Sequence, residues 1–94
     1  MKTKITKWDI AEYLKSDEDI LAYLDAVLDE NNAPLLAAAL GDIARARGMT
    51  SIARETGLGR ESLYKALSAD GNPSFATIQK VLTALDLKLH VAHM

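Results

Sequence analysis

The chain has 94 residues, no cysteine and a formal net charge of −2. This length suits one domain with a modest core, and the composition excludes disulfides, thiolate metal sites and a strongly basic coat for nucleic acid. No apolar run reaches the roughly 18 residues of a transmembrane helix, and polar residues interrupt the N-terminal sequence too early for a signal peptide, so we expect one domain, residues 1–94, in the cytoplasm and without a membrane partner.

The charges are distributed unevenly along the chain. Residues 1–30 carry four Lys and eight Asp or Glu, a net charge of −4, whereas residues 31–94 carry seven Lys or Arg and five Asp or Glu, a net charge of +2. Five of these bases and only two acids fall between Arg45 and Lys65. This pattern predicts two surfaces with different partners, and two ordinary solvated faces are the alternative.

The first predicted helix is short, at about 10–15. Asp9 is placed to cap it, Glu12 stands three residues later as in a capping box, and Trp8 can pack on Tyr13 as a hydrophobic staple. This helix opens the acidic N-terminal part of the chain.

A second predicted helix runs from a cap at Ser16 to Asn31 and Asn32, with acids in its first turn, where the helix dipole favours them. Apolar residues recur in it at helical spacing and predict one buried face. They are Ile20, Leu21, Leu24, Val27 and Leu28. These first two helices form an acidic segment, residues 1–32.

Four helices are predicted from residue 33 to residue 86. The first begins near Pro34 and ends at Gly48, and its alanines and Gly41 allow another helix to approach closely. Two short helices follow in the segment MTSIARETGLGRESLYKALS (49–68), and Ser74 caps the last helix after a dense turn signal. The predicted core residues of that last helix are Phe75, Ile78, Val81, Leu82 and Leu85.

The C-terminal segment LKLHVA (87–92) alternates apolar and polar residues, which predicts a short strand. A lone strand needs a partner for its backbone groups. The same strand of a second copy is the simplest partner and predicts a homodimer, although the strand can also fold back on its own chain. The predicted fold class is therefore all-α, with five or six helices and a short C-terminal β-strand.

The segment 49–68 has the pattern of a helix-turn-helix. Such a motif needs a small residue where its helices cross, which is Ala53, a residue that tolerates positive φ four positions later, which is Gly57, and an apolar residue six positions further on, which is Leu63. The rest of the predicted buried set is Ile52, Leu58 and Leu67. A helical bundle that uses this turn only for packing is the alternative.

The outer face of the second helix in this motif is suited to bases in a DNA groove. It offers Arg60, Glu61, Ser62, Tyr64 and Lys65, near the end of the helix that points at base edges. Arg60 or Lys65 can donate to guanine, and Glu61 can accept from cytosine.

Two further groups are predicted to contact phosphates. Thr50 and Ser51 begin the first helix of the motif, where free N–H groups favour an anion. Asn72 and Ser74 flank Pro73 at the start of the last helix and can hold a second phosphate. Double-stranded operator DNA is therefore a predicted partner.

The segment GMTSIARETGLGRESLYKALSADGNPSFATIQKVLTALDLKL resembles the Cro/C1-type (lambda-repressor-like, XRE family) helix-turn-helix antitoxins, and more narrowly the probable addiction-module antidote proteins, relatives of the HigA antitoxins. The front of the chain matches as well, in WDIAEYL, YLDAVLDE and ALGDIARARGM. The resemblance covers about 5–90, and RESLYKALS followed by GNPSF is fairly specific to that group.

This resemblance implies a five-helix Cro/C1-type domain, acidic N-terminal helices, a dimer and two activities. The protein would neutralise a RelE/ParE-superfamily toxin encoded beside it and would repress their shared operon. The DNA-contact positions carried over by the resemblance are Thr50, Ser51, Gly59, Arg60, Glu61, Ser62, Tyr64, Lys65, Asn72 and Ser74. Many relatives have Ser where this chain has Gly59, so a side-chain cap and a phosphate contact are missing here.

The toxin-binding surface is predicted from charge alone, because the resemblance does not locate it. An acidic helix can cover the basic RNA-binding face of a toxin. The candidates are Trp8, Tyr13, Asp17, Glu18 and Asp25. The alternative is that Trp8 and Tyr13 only staple a helix to the core.

No catalytic constellation can be assembled, so we expect no enzyme, no cofactor and no small-molecule substrate. His90 and His93 make a poor metal site without further ligands, and Gly57 and Gly59 form a helix linker because no strand precedes them. Two alternatives to an antitoxin remain. They are a free-standing Cro/C1-type regulator and a protein-interaction module that does not bind DNA.

Overall fold

The computed structural model describes residues 13–93, and within them five helices follow one another along the chain. They are α1 (Asp17–Asp29), α2 (Ala33–Arg47), α3 (Met49–Thr56), α4 (Arg60–Ala66) and α5 (Phe75–Ala84). The predicted all-helical class is confirmed for this part of the chain. The predicted helix at 10–15 begins outside the described residues, and Trp8, Asp9 and Glu12 also lie outside them. Across 13–93, no helix combines the length and apolar character needed to cross a membrane.

Side-chain oxygens cap the N-termini of three helices. Ser16 Oγ accepts from the Asp19 N–H at 3.1 Å to begin α1, and Ser74 Oγ accepts from the Thr77 N–H at 3.1 Å to begin α5. Asn32 caps α2 in the same way. Caps of this kind stabilise a helix by about 1 kcal/mol each. The caps predicted at Ser16 and Ser74 are confirmed.

Helix α2 lies at the centre of the molecule and packs against α1, α3 and α4, while α5 packs against α3. Its Leu40 and Ile43 are fully buried. One hydrophobic core draws residues from the segment before α1 and from every helix. Its buried members are Leu14, Ile20, Leu24, Val27, Ala39, Leu40, Ile43, Ala44, Met49, Ile52, Leu63, Leu67, Val81, Leu82 and Leu85.

Gly41 allows the end of α4 to approach α2 closely. A Cβ atom at Gly41 would overlap the carbonyl oxygen of Leu67, the residue that ends α4. Leu67 is itself buried in the core. The close approach predicted for Gly41 is therefore confirmed, and it is the point where α4 is fixed to the central helix.

Three apolar residues predicted to be buried are exposed. Leu21 and Leu28 of α1 have 54% and 44% of their surface accessible, and Phe75 of α5 has 60%. The prediction was wrong because each apolar stripe is wider than the face that contacts the core. Leu21, for example, lies about 100° around the helix from the buried Ile20.

The predicted strand at 87–92 is absent. No strand occurs between residues 13 and 93, and residues 87–93 have no regular secondary structure. The Leu87 N–H donates to the Leu82 carbonyl at 2.8 Å, which ties the segment to the end of α5. Alternating apolar and polar residues do not form a strand here, because the described chain provides no neighbouring strand for its backbone hydrogen bonds.

Candidate nucleic-acid interface

Helices α3 and α4 are joined by a three-residue turn that has its own hydrogen bonds. Gly57 ends α3 in the left-handed conformation, with φ 76° and ψ 9°, and its N–H donates to the Ala53 carbonyl at 3.0 Å. The Thr56 hydroxyl donates to the Ile52 carbonyl at 2.8 Å and accepts from the Leu58 N–H at 3.2 Å. This φ confirms the positive value predicted at Gly57. Glycine adopts such a conformation readily because it has no Cβ atom.

The inner side of this helix pair belongs to the core. Ile52, Leu63 and Leu67 are buried, and Leu63 has no accessible surface. Ala53 and Leu58 are partly buried and pack against the same cluster. The predicted inner face is confirmed, so α4 is anchored through Leu63 and can present its other side to solvent.

All ten residues predicted to contact DNA have accessible surface. Ser51 is half-buried and the other nine are exposed, namely Thr50, Gly59, Arg60, Glu61, Ser62, Tyr64, Lys65, Asn72 and Ser74. Thr50 and Ser51 lie in the first turn of α3, and Asn72 and Ser74 lie in the loop before α5. The structure thus places these residues on the surface.

Arg60 and Tyr64 are held together on the outer face of α4. The Arg60 guanidinium carbon lies 5.8 Å from the centroid of the Tyr64 ring, and Arg60 Nη2 donates to the Tyr64 hydroxyl at 3.5 Å. The two residues are one helical turn apart, which brings their side chains to the same face. A cation over an aromatic ring is attracted by it, so Tyr64 restrains the direction in which Arg60 extends.

Lys65 and Asn72 line the same surface notch, next to Ser62 at the end of α4. Asp70 lines it as well and places a negative charge beside Lys65. Asn72, predicted as a phosphate contact, is therefore brought next to α4.

Ser74 lies outside that notch, and its hydroxyl is already engaged. It accepts from the Thr77 N–H and donates to Thr77 Oγ1, each at 3.1 Å. A phosphate contact by Ser74 therefore requires its hydroxyl to rotate.

The five bases counted between 45 and 65 fall into two groups. Arg45 forms an ion pair with Asp42, and Arg47 forms one with Asp17. The remaining three are exposed and have no ion pair with any described residue. They are Arg54, Arg60 and Lys65. The cationic surface is therefore smaller than the sequence count indicates, and it lies on α3 and α4.

Arg54 is a candidate DNA contact that the sequence prediction missed. It is exposed on α3, four residues after Thr50, so both residues lie on one side of that helix. The spacing from Thr50 is the signal that identifies it.

A second polar site, absent from the sequence prediction, joins α1 to α2. The Tyr23 hydroxyl donates to Asp42 Oδ2 at 3.1 Å, and the other carboxylate oxygen of Asp42 accepts from Arg45. Burial, followed by the negative charge and hydrogen bond of Asp42, raises the pKa of Tyr23 to about 12, and Arg45 opposes the shift. This network holds the two helices together, and the raised pKa extends the alkaline range over which Tyr23 stays protonated.

The residues predicted to bind a toxin are partly outside the described region. Trp8 lies outside it, whereas Tyr13, Glu18 and Asp25 are exposed. Asp17 is exposed but is paired with Arg47. Among residues 13–93, no group of three or more His, Cys, Asp or Glu side chains is placed to hold a metal ion.

Comparison with known proteins gives two matches over nearly the whole chain. Residues 4–93 match a family model described as "Probable addiction module antidote protein". The chain is also 53% identical over 91 residues to a Haemophilus influenzae protein named "Uncharacterized protein", which covers 97% of this chain and 94% of that relative. No solved structure matches significantly.

Proposed function

The chain belongs to the family of probable addiction module antidote proteins, and from this premise we propose that it is an antitoxin that also binds operator DNA and represses its own operon. Membership of this family supports the antitoxin role and a cognate toxin partner. The DNA half of the proposal depends on one observation. Helix α4 is anchored by the buried Leu63 and exposes Arg60 and Lys65 on its other side. A helix held in this way can enter a major groove with its N-terminal residues against the bases.

The turn at Gly57 and the buried inner face support a Cro/C1-type, XRE-family helix-turn-helix related to the HigA antitoxins. We propose a homodimer in the cytoplasm, because such a motif acts on inverted repeats whose half-sites lie about 34 Å apart. In the single chain, Phe75, Leu89 and Val91 are apolar and exposed. A second copy that covers them would remove this surface from water.

Operator binding is tested with the DNA segment upstream of the chain's own gene. Fluorescence anisotropy should show tight binding to this segment and much weaker binding to a scrambled segment of the same length and composition. Because Lys and Arg release counterions from phosphates, both affinities should fall steeply between about 50 and 200 mM salt. Equal affinity for the two segments would contradict operator recognition.

The proposed toxin is a small RelE/ParE-superfamily protein encoded beside the chain. Its expression alone should stop growth, and co-expression of this chain should restore growth. The purified proteins should then form a stable complex. If the neighbouring gene product is harmless, or remains toxic when this chain is present, the toxin assignment fails.

One observation favours a second function, that of an interaction module that does not bind DNA. The net charge is −2, and Glu61 and Asp70 place carboxylates around the cations of α4. Toxin binding without any preference for the upstream segment would support this function. Operator binding without a toxin gene nearby would instead support a free-standing regulator.

A further inference from the structure

The outward side of α1 carries apolar residues where a helix facing solvent is normally polar. Leu21 and Leu28 are 54% and 44% exposed, although Ile20, Leu24 and Val27 on the inner side are buried. A single exposed leucine is common in proteins and needs no explanation. Two leucines seven residues apart, however, lie on one side of a helix with about 10 Å between them.

Each of these leucines lies at the edge of a separate shallow groove. Leu21 lines a groove with the end of α2 and with Leu85 and Leu87 after α5. Leu28 lines another with Leu36 and with the turn between α1 and α2. The first groove also contains Asp17, Arg47 and Asp86, and the second contains Asn31 and Asn32. A partner there would therefore contact polar groups as well as the two leucines.

Helix α1 is also strongly acidic. Its sequence contains five Asp or Glu residues and no Lys or Arg. Asp25 stands between the leucines at helical spacing, and Glu18 precedes Leu21 by one turn. Both carboxylates are exposed and form no ion pair with any residue in the described range. Charge complementarity therefore favours a basic occupant.

We propose that Glu18, Leu21, Asp25 and Leu28, which we term the α1 stripe, form the docking surface for the basic toxin. This assignment rests on the proposed antitoxin function and adds two leucines that sequence analysis placed in the core. The toxin covers Leu21 and Leu28 with apolar surface while its Lys and Arg side chains meet Glu18 and Asp25. Helix α1 packs mainly against α2, and the α1 stripe contains none of the residues predicted to contact DNA.

The apolar half of the proposal is tested with the full-length chain and the purified product of the neighbouring toxin gene. The double variant Leu21→Ala/Leu28→Ala should bind this protein at least about tenfold more weakly, because apolar anchors at the centre of an interface carry much of the affinity. Both side chains are half-exposed, so the variant should keep the wild-type melting temperature within a few degrees. Leu35→Ala is the matched control, since it removes an exposed leucine of α2 that lines neither groove.

The acidic half is tested by charge reversal. Asp25→Lys should slow association with the toxin and weaken binding, and the difference from wild type should shrink at high salt. Glu55→Lys makes the same change on the exposed surface of α3 and should have little effect on toxin binding.

Three outcomes distinguish failure of this surface from failure of the proposed function. If the wild-type chain does not bind the neighbouring gene product, the toxin assignment and this surface both fail. If the wild type binds and the leucine double variant binds equally well, only the α1 stripe is wrong. If light scattering shows that the double variant loses self-association while toxin binding is unchanged, the α1 stripe is an interface between copies of this chain and the proposal is overturned.

Discussion

The α1–α2 pair and the α3–α4 pair are built from the same kind of amphipathic helix but differ in whether their cations are paired with acids. In the first pair, the cations Arg45 and Arg47 are neutralised by Asp42 and Asp17. In the second pair, Arg60 and Lys65 are exposed, and Arg60 lies along Tyr64 instead of an acid. The first pair therefore presents mainly carboxylates to solvent, and the second presents cations.

This difference shows that the position of a charged residue in the sequence does not by itself determine whether its charge is neutralised by an ion pair. Arg45 and Arg47 are part of the same basic run as Arg54, yet Arg47 forms an ion pair with Asp17 of α1 and Arg45 forms one with Asp42 of its own helix. A chain with a net charge of −2 can thus keep a cationic face and an acidic face on one molecule.

The largest effect is expected from removing the anchor of the second pair. Leu63→Ala leaves a cavity at a residue with no accessible surface and should lower the free energy of unfolding by about 3 kcal/mol. Tyr64→Ala, one residue further along α4, should cost about 0.5 kcal/mol because Tyr64 is exposed. Urea unfolding followed by circular dichroism measures both. Similar losses would show that α4 does not divide into a buried and an exposed side.

The contact between Gly41 of α2 and Leu67 at the end of α4 should be the next most sensitive to substitution. Gly41→Ala places a methyl group against the Leu67 carbonyl and should destabilise the fold by about 2 kcal/mol, as overpacking does elsewhere. Helix propensity alone would make the same change stabilising by up to about 1 kcal/mol. The sign of the change in urea unfolding therefore decides between close packing and propensity.

The hydrogen bond between Tyr23 of α1 and Asp42 of α2 should contribute less to the free energy of unfolding. Tyr23→Phe removes the hydrogen bond to Asp42 and should cost about 1 kcal/mol at neutral pH. Because the pKa of Tyr23 is raised from 10.0 to about 12, the unfolded chain loses this proton before the folded one as pH rises. Stability should therefore decline between about pH 10 and 12, and less steeply in Tyr23→Phe than in the wild type.

Tyr13→Phe is the control for that pH series, since Tyr13 is exposed. It should show the same decline as the wild type. A Tyr23→Phe variant that also follows the wild-type curve would contradict the raised pKa.

The smallest effect concerns the uncapped start of α4. Gly59 has φ −71° and ψ 149° and provides no side-chain cap. A Cβ atom there meets only Ser62 Oγ, at 3.9 Å. Gly59→Ser should raise the free energy of unfolding by about 0.3 kcal/mol and the melting temperature by about 2 °C, whereas Gly59→Ala should give no gain. Calorimetry that shows equal effects for the two variants would contradict a capping role.

Local signals made much of the fold predictable from the sequence. The caps at Ser16 and Ser74, the left-handed turn at Gly57 and the buried Leu63 each follow from a few neighbouring residues. These features also define the outer face of α4, since a residue opposite Leu63 must face away from the core.

Features that depend on distant parts of the chain were not predictable in this way. The ion pair between Asp17 and Arg47 joins residues 30 positions apart, and no local pattern identifies it. The width of the contact between α1 and α2 decides that Leu21 is exposed while Ile20 is buried. The strand predicted at 87–92 needed a neighbouring strand that the described residues do not provide.

The most direct test compares cations of the two helix pairs in one operator-binding assay. Arg60→Ala and Lys65→Ala remove exposed cations of α4, and Arg45→Ala and Arg47→Ala remove cations paired with acids. Anisotropy with the upstream DNA segment is measured at low temperature, where circular dichroism shows all four variants folded. We expect the α4 variants to bind at least about tenfold more weakly and the α2 variants to stay within about twofold of wild type. Equal losses in all four variants, or larger losses in the α2 variants, would contradict the assignment of DNA binding to the outer face of α4.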